Sequence, residues 1–341
     1  SYFSAIGLDD LADRNFERIG SDIVAPGSPL GGLTPAAAAE LGLKPGVTVG
    51  ASLIDAHAGG VGSIGARASH GSLLTRMAYV FGTSACTMAS SREPIFIPGV
   101  WGPYFDAMAP GLWLNEGGQS SAGAAIEQLV SFHPASQEAL AKADAAGQSL
   151  PDWLAEHAMR RAQTPSQAAQ LAENIVVVPD FLGNRSPHAD PDARATVTGL
   201  GMERDVDHLV SLYVAGVLGV GYGLRQIIDV SRDAGARIDA IVLSGGAGRH
   251  ALVRQLLADC AGLPLLAPDG ADPVLLGAAM LGAAASGAFP NLSAAMEEMA
   301  PTAAVYAPVK GSLTGEHARR YAAFGALQKA ARATRDMIAG L

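Results

Sequence analysis

Charged residues, aromatic residues and cysteines are all scarce in this sequence. Of its 341 residues, 16% are charged, 6% are aromatic and two are cysteines, whereas 49% are hydrophobic. A chain so poor in charge and so rich in apolar residues is not a disordered tether, because it can bury a large core. Its length also favours more than one domain.

The sequence has no dense cluster of lysine and arginine, and its net charge is −9. This balance argues against nucleic acid or an anionic membrane as the principal partner. The longest apolar stretches, around 211–224 and 273–289, are rich in glycine and alanine and make poor membrane spans. The N-terminus lacks the basic-then-apolar layout of a signal peptide.

The two cysteines, Cys86 and Cys260, have neither the spacing of metal ligands nor the density of a disulfide scaffold. The predicted location is therefore a reducing cytoplasm. Cys86 is interpreted as a small buried residue rather than a reactive thiol, because free cysteines are usually buried.

Asp55 is the first residue with chemical potential. It follows an apolar stretch that predicts a strand ending at this residue, and it precedes a run of small residues that predicts a helix. Backbone N–H groups at such a junction keep a carboxylate ionised, so Asp55 can act as a general base. The alternative interpretation is a simple helix N-cap.

A turn of small residues, Gly82-Thr83-Ser84, lies some twenty residues further along the chain. It offers backbone N–H groups and two hydroxyls with no bulky side chain, as the close approach of a phosphate oxygen requires. Taken with Asp55, this turn suggests phosphoryl transfer.

A second turn contains Gly245 and Gly246. It follows the apolar strand 240–243 and precedes an amphipathic stretch at 251–258. A strand, a glycine turn and a helix together form a cradle in which the polar parts of a nucleotide meet a helix N-terminus. The second turn therefore strengthens the prediction of a nucleotide-binding enzyme.

The rest of the pattern alternates helices with strands, which predicts an α/β fold. The predicted segments are a short helix opened by Thr34-Pro35, strands at 77–81 and 86–88, a polar glycine loop at 115–122 that leads into a helix ending near 130, peripheral helices within 134–173, a strand at 175–178, a long helix at 207–234, a helix at 250–260, and a helix at 273–286 capped by Asp272. The small residues of the last helix predict close packing against a sheet.

Five ordered motifs make the sequence similar to the FGGY carbohydrate kinases, within the larger group that shares the actin and hexokinase fold. Their order is far more specific than any single motif, and the resemblance covers essentially the whole chain. The motifs are Asp55-Ala-His57-Ala-Gly59, Gly82-Thr83-Ser84, Glu116-Gly-Gly-Gln119-Ser120, Gly183-Asn-Arg185-Ser-Pro187 followed by Asp-Pro-Asp-Ala-Arg194, and Ser244-Gly245-Gly246.

The resemblance implies a two-domain α/β sugar-kinase fold of the actin/hexokinase (ribonuclease H-like) type. Residues 1–76 would be the tail of the sugar-binding N-terminal domain, and residues 77–341 would be the C-terminal ATP-binding domain. The Asp-x-His pattern and the aromatic passage 98–120 most resemble the D-ribulokinase branch. D-Ribulose is therefore the first choice of substrate, with L-ribulose, D-xylulose or ribitol left open, because few hydrogen-bond partners separate such sugars.

The resemblance also implies roles for individual residues and two cofactors, ATP and Mg²⁺. Asp55 would take the proton of the attacking sugar hydroxyl, and Mg²⁺ would bridge the nucleotide oxygens, with no metal site readable in the chain. The residues expected to contact the nucleotide are Gly82, Thr83 and Ser84 at the phosphates and Gly245, Gly246 and His250 along the adenosine.

Several side chains have more than one interpretation. His57 contacts the sugar, orients Asp55, or is structural. Gln119, with Glu116, lies in a loop and either contacts the sugar or stabilises that loop. Arg185 is predicted to pair with Asp190 or Asp192 and fix its own loop, rather than to bind phosphate.

Nothing in the sequence matches the Asp-x-Gly-Thr loop with which the first domain of such kinases opens, so the chain resembles the C-terminal two-thirds of one. An alternative function is therefore a nucleotide-binding fragment that is inactive without its N-terminal half. That half is an expected partner if it is a separate chain, and a homodimer is left open.

Overall fold

The computed structural model describes residues 2–20, 22–270 and 272–340. The helices are α1 (Tyr2–Ala5), α2 (Asp9–Phe16), α3 (Pro35–Leu41), α4 (Asp55–Ile64), α5 (Gly123–Ser131), α6 (Ser136–Ala145), α7 (Leu150–Arg161), α8 (Val206–Asp233), α9 (Ala251–Ala261), α10 (Pro273–Ala285), α11 (Leu292–Glu298) and α12 (Ser312–Ala339), with 3₁₀ segments at Ser166–Ala172 and Gly246–Gly248. The strands are β1 (Pro29–Gly32), β2 (Thr48–Gly50), β3 (Arg76–Phe81), β4 (Ala85–Ser91), β5 (Trp101–Phe105), β6 (Trp113–Gln119), β7 (Val176–Val178), β8 (Thr196–Thr198), β9 (Ala240–Ser244), β10 (Leu265–Pro268) and β11 (Ala303–Tyr306).

A seven-stranded mixed sheet forms the centre of the molecule. Its strand order is β11-β10-β9-β3-β4-β6-β5, in which β3, β9 and β10 run parallel and the other neighbours pair antiparallel. Two further pairs, β1 with β2 and β7 with β8, are antiparallel and separate from this sheet. The alternating pattern thus gives the expected mixed α/β fold.

Helices cover both faces of the central sheet. Side chains alternate between the two faces along each strand, and both faces of this sheet carry apolar residues that pack against helices. Met77, Tyr79 and Phe81 of β3 pack in one core with α5 to α9. Ala78 of β3 and Leu114 of β6 face the opposite way, into a second core with α4, α10 and α11. The two faces therefore carry separate sets of functional side chains.

Several predicted elements are confirmed closely. Helix α8 spans Val206–Asp233 where the sequence predicted 207–234. Thr34 caps α3, and Asp272 caps α10 through its Oδ1, which accepts from the N–H groups of Val274 and Leu275 at 2.9 and 3.2 Å.

Two structural predictions are wrong, and a third needs an addition. The strand expected to end at Asp55 ends at Gly50, and an irregular segment leads into α4. The polar glycine segment expected to be a loop is largely strand β6. Helix α10 packs most closely against helix α4, where a Cβ at Gly277 would overlap the carbonyl oxygen of Ala58, and it also packs on strand β2, where a Cβ at Gly50 would lie 2.8 Å from the Ala285 Cβ.

Helix α8 is the single helix in the described ranges that is long and apolar enough to cross a membrane. However, 78% of its most apolar window is buried inside the protein. Its apolar residues are explained by its position in the core, between α5, α9 and the central sheet.

Candidate active site

A cleft of about 480 Å³ opens where β3 and β9 end. It brings together two turns that lie some 160 residues apart in the sequence, the β3–β4 turn and the turn after β9. The lining residues are Gly82, Thr83, Gly123, Ala124, Ile126, Glu127, Ser149, Pro151, Asp152, Tyr213, Gly246, Ala247, Arg249, His250 and Val253. Four predicted nucleotide-binding residues, Gly82, Thr83, Gly246 and His250, thus line one cleft.

The β3–β4 turn presents hydrogen-bond donors rather than acceptors. Its carbonyls are occupied, because Gly82 O accepts from Gly123 N at 2.9 Å and Thr83 O accepts from Ala122 N at 2.9 Å. Within the described ranges, the N–H groups and hydroxyls of Thr83 and Ser84 have no partner. A turn with used acceptors and free donors is suited to bind an anion such as a phosphate.

Close backbone packing explains the glycines that surround the cleft. Gly245 has a φ of 97°, and a Cβ there would overlap the carbonyl oxygen of Phe81. A Cβ at Gly123 would lie 2.7 Å from Gly82 O and 3.1 Å from the Ala247 Cβ. Gly245 and Ser84 do not line the cleft themselves. Gly245 instead lets the second turn approach the end of β3.

His250 caps α9 at the edge of the cleft. Its Nδ1 accepts the N–H of Leu252 at 3.1 Å, so the neutral ring carries its proton on Nε2. Burial lowers the pKa of His250, which favours this neutral form. Glu127 and Asp152 also line the cleft and were not predicted, because neither stands in a recognisable local motif.

Asp55 is the first residue of α4, and its side chain is exposed. Its Oδ1 accepts the N–H of Ala56 at 2.7 Å, and its Oδ2 has no partner within the described ranges. An exposed carboxylate oxygen is free to accept a proton from a substrate hydroxyl. The N-cap alternative is wrong, because the N-cap residue is Ile54 and Asp55 is the first residue of the helix. The general-base role of Asp55 stays a prediction.

His57 and Glu116 form a pair beneath Asp55. The buried imidazole bonds through Nε2 to Glu116 Oε2 at 3.1 Å and through Nδ1 to the Ala107 carbonyl at 2.9 Å. Because Ala107 O can only accept, Nδ1 carries a proton. Within the described ranges His57 makes no hydrogen bond to Asp55, so the structure shows the imidazole joined to Glu116 instead. The alternation of β6 could have placed Glu116 on this face.

Gln119 lies on the other face of the sheet. Its Oε1 accepts from the buried Tyr79 hydroxyl at 2.7 Å, and its Nε2 donates to the Val220 carbonyl of α8 at 3.0 Å. Glu116 and Gln119 stand three positions apart on a strand, and an odd spacing puts side chains on opposite faces. The loop prediction is wrong, and the hydrogen bonds favour the structural interpretation of Gln119 over sugar binding beside Asp55.

The predicted pairing of Arg185 with Asp190 or Asp192 is also wrong. Both carboxylate oxygens of Asp190 instead accept from Arg335 Nη1, at 2.7 and 2.8 Å. This ion pair lowers the pKa of the Asp190 carboxyl. The Arg185 guanidinium lies 5.5 Å from the Trp101 ring centroid, and its Nη1 is 3.7 Å from Cys86 Sγ. Cys86 is only partly buried.

The Cys86 thiol lies near charges of both signs. Burial raises the pKa of this thiol most, Glu116 and Asp55 raise it further, and Arg185 opposes them. The thiol is therefore protonated at neutral pH and a poor nucleophile. Arg185 contacts Cys86 and Trp101, which stand opposite Gly118 and Glu116 of β6, and Glu116 bonds to His57 in the helix that begins at Asp55. We call the region of Asp55, Glu116 and Arg185 the acceptor side of the site.

No three histidine, cysteine or carboxylate side chains come together as a metal site in the part of the chain that the structure describes. No residue is therefore assigned to Mg²⁺, and no step below depends on the metal.

Comparisons with known proteins agree with this geometry. Residues 77–286 match the C-terminal domain of the FGGY family of carbohydrate kinases. The chain is 45% identical over 318 residues to a human FGGY carbohydrate kinase domain-containing protein, covering 90% of the chain and 57% of that protein. It is 36% identical over 309 residues to the D-ribulokinase of Saccharomyces cerevisiae, covering 84% of the chain and 43% of that protein.

The fold is similar to that of a solved xyloylose kinase from Brucella ovis. The TM-score is 0.72 at 22% identity, over 91% of this chain and 58% of the other. The chain thus spans between 43% and 58% of the length of these three relatives. The division at residue 76 stays a prediction. The matched domain, the five ordered motifs and the fold lead to one conclusion: the chain belongs to the FGGY family of carbohydrate kinases.

Proposed function

We propose that the chain provides the nucleotide-binding and catalytic part of a kinase that transfers the γ-phosphoryl group of ATP to a pentulose. The substrate proposed first is D-ribulose, which would yield D-ribulose 5-phosphate. The observation that carries the proposal is the junction of a donor-rich turn, Gly82 to Ser84, with an acceptor side that contains the free Asp55 carboxylate. The 36% identity to a D-ribulokinase supports the choice of sugar.

In the proposed mechanism, Asp55 Oδ2 accepts the proton of the attacking hydroxyl. The hydroxyl oxygen then bonds to the γ-phosphorus while the bond to the β-phosphate oxygen breaks and ADP leaves. The free donors of Thr83 and Ser84 stabilise the charge on the phosphate oxygens. His57 is held by Glu116 and Ala107 O, and it supports the first turn of the helix that carries Asp55.

A second candidate, a nucleotide-binding fragment that needs another polypeptide segment, is supported by residues 2–54. This region has many exposed apolar side chains, and within the described ranges the short β1–β2 pair has no third strand. The most exposed are Tyr2 at 72%, Ile23 at 92%, Leu41 at 64% and Ile54 at 61%. Such a surface is typical of a protein interface. The proposed occupant is a sugar-binding segment, in the same chain or a partner, and the proposed location is the cytoplasm.

An ADP-release assay with Mg-ATP and a panel of D-ribulose, L-ribulose, D-xylulose, ribitol and glycerol tests the two candidates. For the kinase, we expect turnover with D-ribulose, and a fall in kcat of about 10²- to 10⁴-fold in Asp55→Asn, as for loss of a general base. ADP affinity should not change. Asp272→Asn is the matched control, because it keeps a capping side chain at a helix start beside the far end of α4.

The outcomes separate the candidates. Turnover that Asp55→Asn does not reduce would exclude Asp55 as the base. ADP binding without turnover on any sugar would favour the fragment, and activity restored by an added sugar-binding segment would establish it.

A further inference from the structure

Arg185 has an unusual environment for a half-buried guanidinium. Its neighbours are the Trp101 ring, 5.5 Å from Cζ, and the Cys86 sulfur, 3.7 Å from Nη1. Within the described ranges, no oxygen atom accepts a hydrogen bond from it. A guanidinium has five N–H donors, and sulfur is a weak acceptor, so most of these donors are uncommitted.

Two other arginines show how this chain normally satisfies such a group. Arg76 donates four hydrogen bonds to backbone carbonyls, at distances from 2.7 to 3.0 Å. Arg335 binds both oxygens of Asp190. Arg185 has no such oxygen partner within the described ranges, so its free donors suit an acceptor outside the protein.

The position of Arg185 indicates which partner. The guanidinium does not line the nucleotide cleft. It contacts Cys86, which stands opposite Gly118 of β6, two residues from Glu116, and Glu116 bonds to His57 in the first turn of the helix that begins at Asp55. Trp101 stands opposite Glu116 in the β5–β6 pair and is 47% exposed. Its ring makes a cation–π contact with the Arg185 guanidinium. The free donors therefore belong to the acceptor side of the site.

We propose that Arg185 binds oxygen atoms of the acceptor sugar and is a specificity-determining residue, with Trp101 as its positioning residue. This inference rests on the proposed function, because it assumes a polyhydroxylated acceptor next to Asp55. Hydroxyl and carbonyl oxygens of a ketose are acceptors that match a planar set of N–H donors.

Arg185→Met tests the inference, since it removes the donors and keeps a side chain of similar length. We expect the KM for the sugar to rise about 10- to 100-fold, the range for losing a hydrogen bond from a charged group. ADP affinity and Tm should stay unchanged. Arg185→Lys should raise the KM for the sugar less than Arg185→Met does. Trp101→Phe should likewise raise this KM less than Trp101→Ala does. Arg332→Met is the matched control, because Arg332 lines a different cavity.

A binding measurement separates this inference from the proposed function. Sugar-dependent fluorescence of Trp101, identified by its loss in Trp101→Phe, reports binding without turnover. Sugar binding that Arg185→Met abolishes, in a protein without turnover, would support the inference while the kinase proposal fails. A KM and sugar affinity within twofold of wild type, or a parallel loss of ADP affinity or Tm, would overturn the inference and leave the kinase intact. Neither turnover nor sugar binding in the wild type would overturn both.

Discussion

The two sides of the site are built from different parts of the polypeptide. On the nucleotide side the free donors come largely from backbone turns, and glycines at 123 and 245 let three turns approach closely. The acceptor side is made of side chains, namely Asp55, His57, Glu116 and Arg185. A backbone surface is fixed by the path of the chain, whereas a side-chain surface can change its ligand through one substitution.

This difference explains how one cleft can combine a constant and a variable ligand. Backbone N–H groups bind any phosphate in the same way, and they depend on glycine only because of close packing. Side-chain donors and acceptors instead match particular oxygens of a sugar. We therefore expect the acceptor side to determine which sugar reacts, while the nucleotide side stays the same for all of them.

The largest effect that would sharpen this comparison is expected at Gly245. Gly245→Ala puts a Cβ against the Phe81 carbonyl at a φ of 97°, and it should lower the free energy of unfolding by about 1–3 kcal/mol or more. Gly246→Ala is the matched control, because no heavy atom lies within 4 Å of its Cβ position. It should keep the stability and weaken ADP binding. Chemical denaturation and calorimetry measure both. Wild-type stability in Gly245→Ala would contradict the close packing of the two turns.

A smaller effect is expected at Gln119, which the structure removes from the acceptor side. Gln119→Leu leaves the Tyr79 hydroxyl without its partner and removes the side-chain donor to the Val220 carbonyl, which keeps its bond within α8, and it should cost about 1–3 kcal/mol of stability. The sugar KM should not change. Adding Tyr79→Phe should restore part of the loss, because it removes one unpaired group. Gln128→Leu, on the exposed face of α5, is the control. A raised KM at full stability would return Gln119 to the acceptor side.

The sequence allowed the nucleotide side to be predicted better than the acceptor side, for a physical reason. Glycine turns after apolar strands are local features, so Gly82, Thr83 and Gly246 could be assigned to one cleft before the fold was known. The partners of Arg185 are Cys86, 99 positions away, and Trp101. Contacts of this kind depend on strand order and leave no local signal.

Strand β6 shows a second limit. Its two glycines, Gly117 and Gly118, suggested a loop, because glycine is uncommon inside strands. Both are required by neighbouring atoms: a Cβ at Gly117 would lie 2.9 Å from Thr87 Oγ1, and one at Gly118 would overlap the Ala85 carbonyl. Without β6, the alternation that separates Glu116 from Gln119 was hidden.

The smallest expected effect concerns His250, a titrating side chain that caps α9 on the nucleotide side. Because burial lowers the pKa of His250 below 6.5, the unfolded chain binds a proton before the folded chain does as the pH falls. The His250 contribution to stability is therefore complete above about pH 6.5 and declines below it. Protonation of Nδ1 also removes the acceptor for Leu252 N.

His250→Asn keeps a capping oxygen that does not titrate. The variant should lose less stability than the wild type between pH 6.5 and 5, measured by denaturation at each pH. Burial also lowers the pKa values of His133 and His317, so the difference between the two curves is the informative quantity. Parallel curves would mean that the His250 ring is not the cap of α9. The start of α9 on the nucleotide side would then have no cap from the His250 side chain.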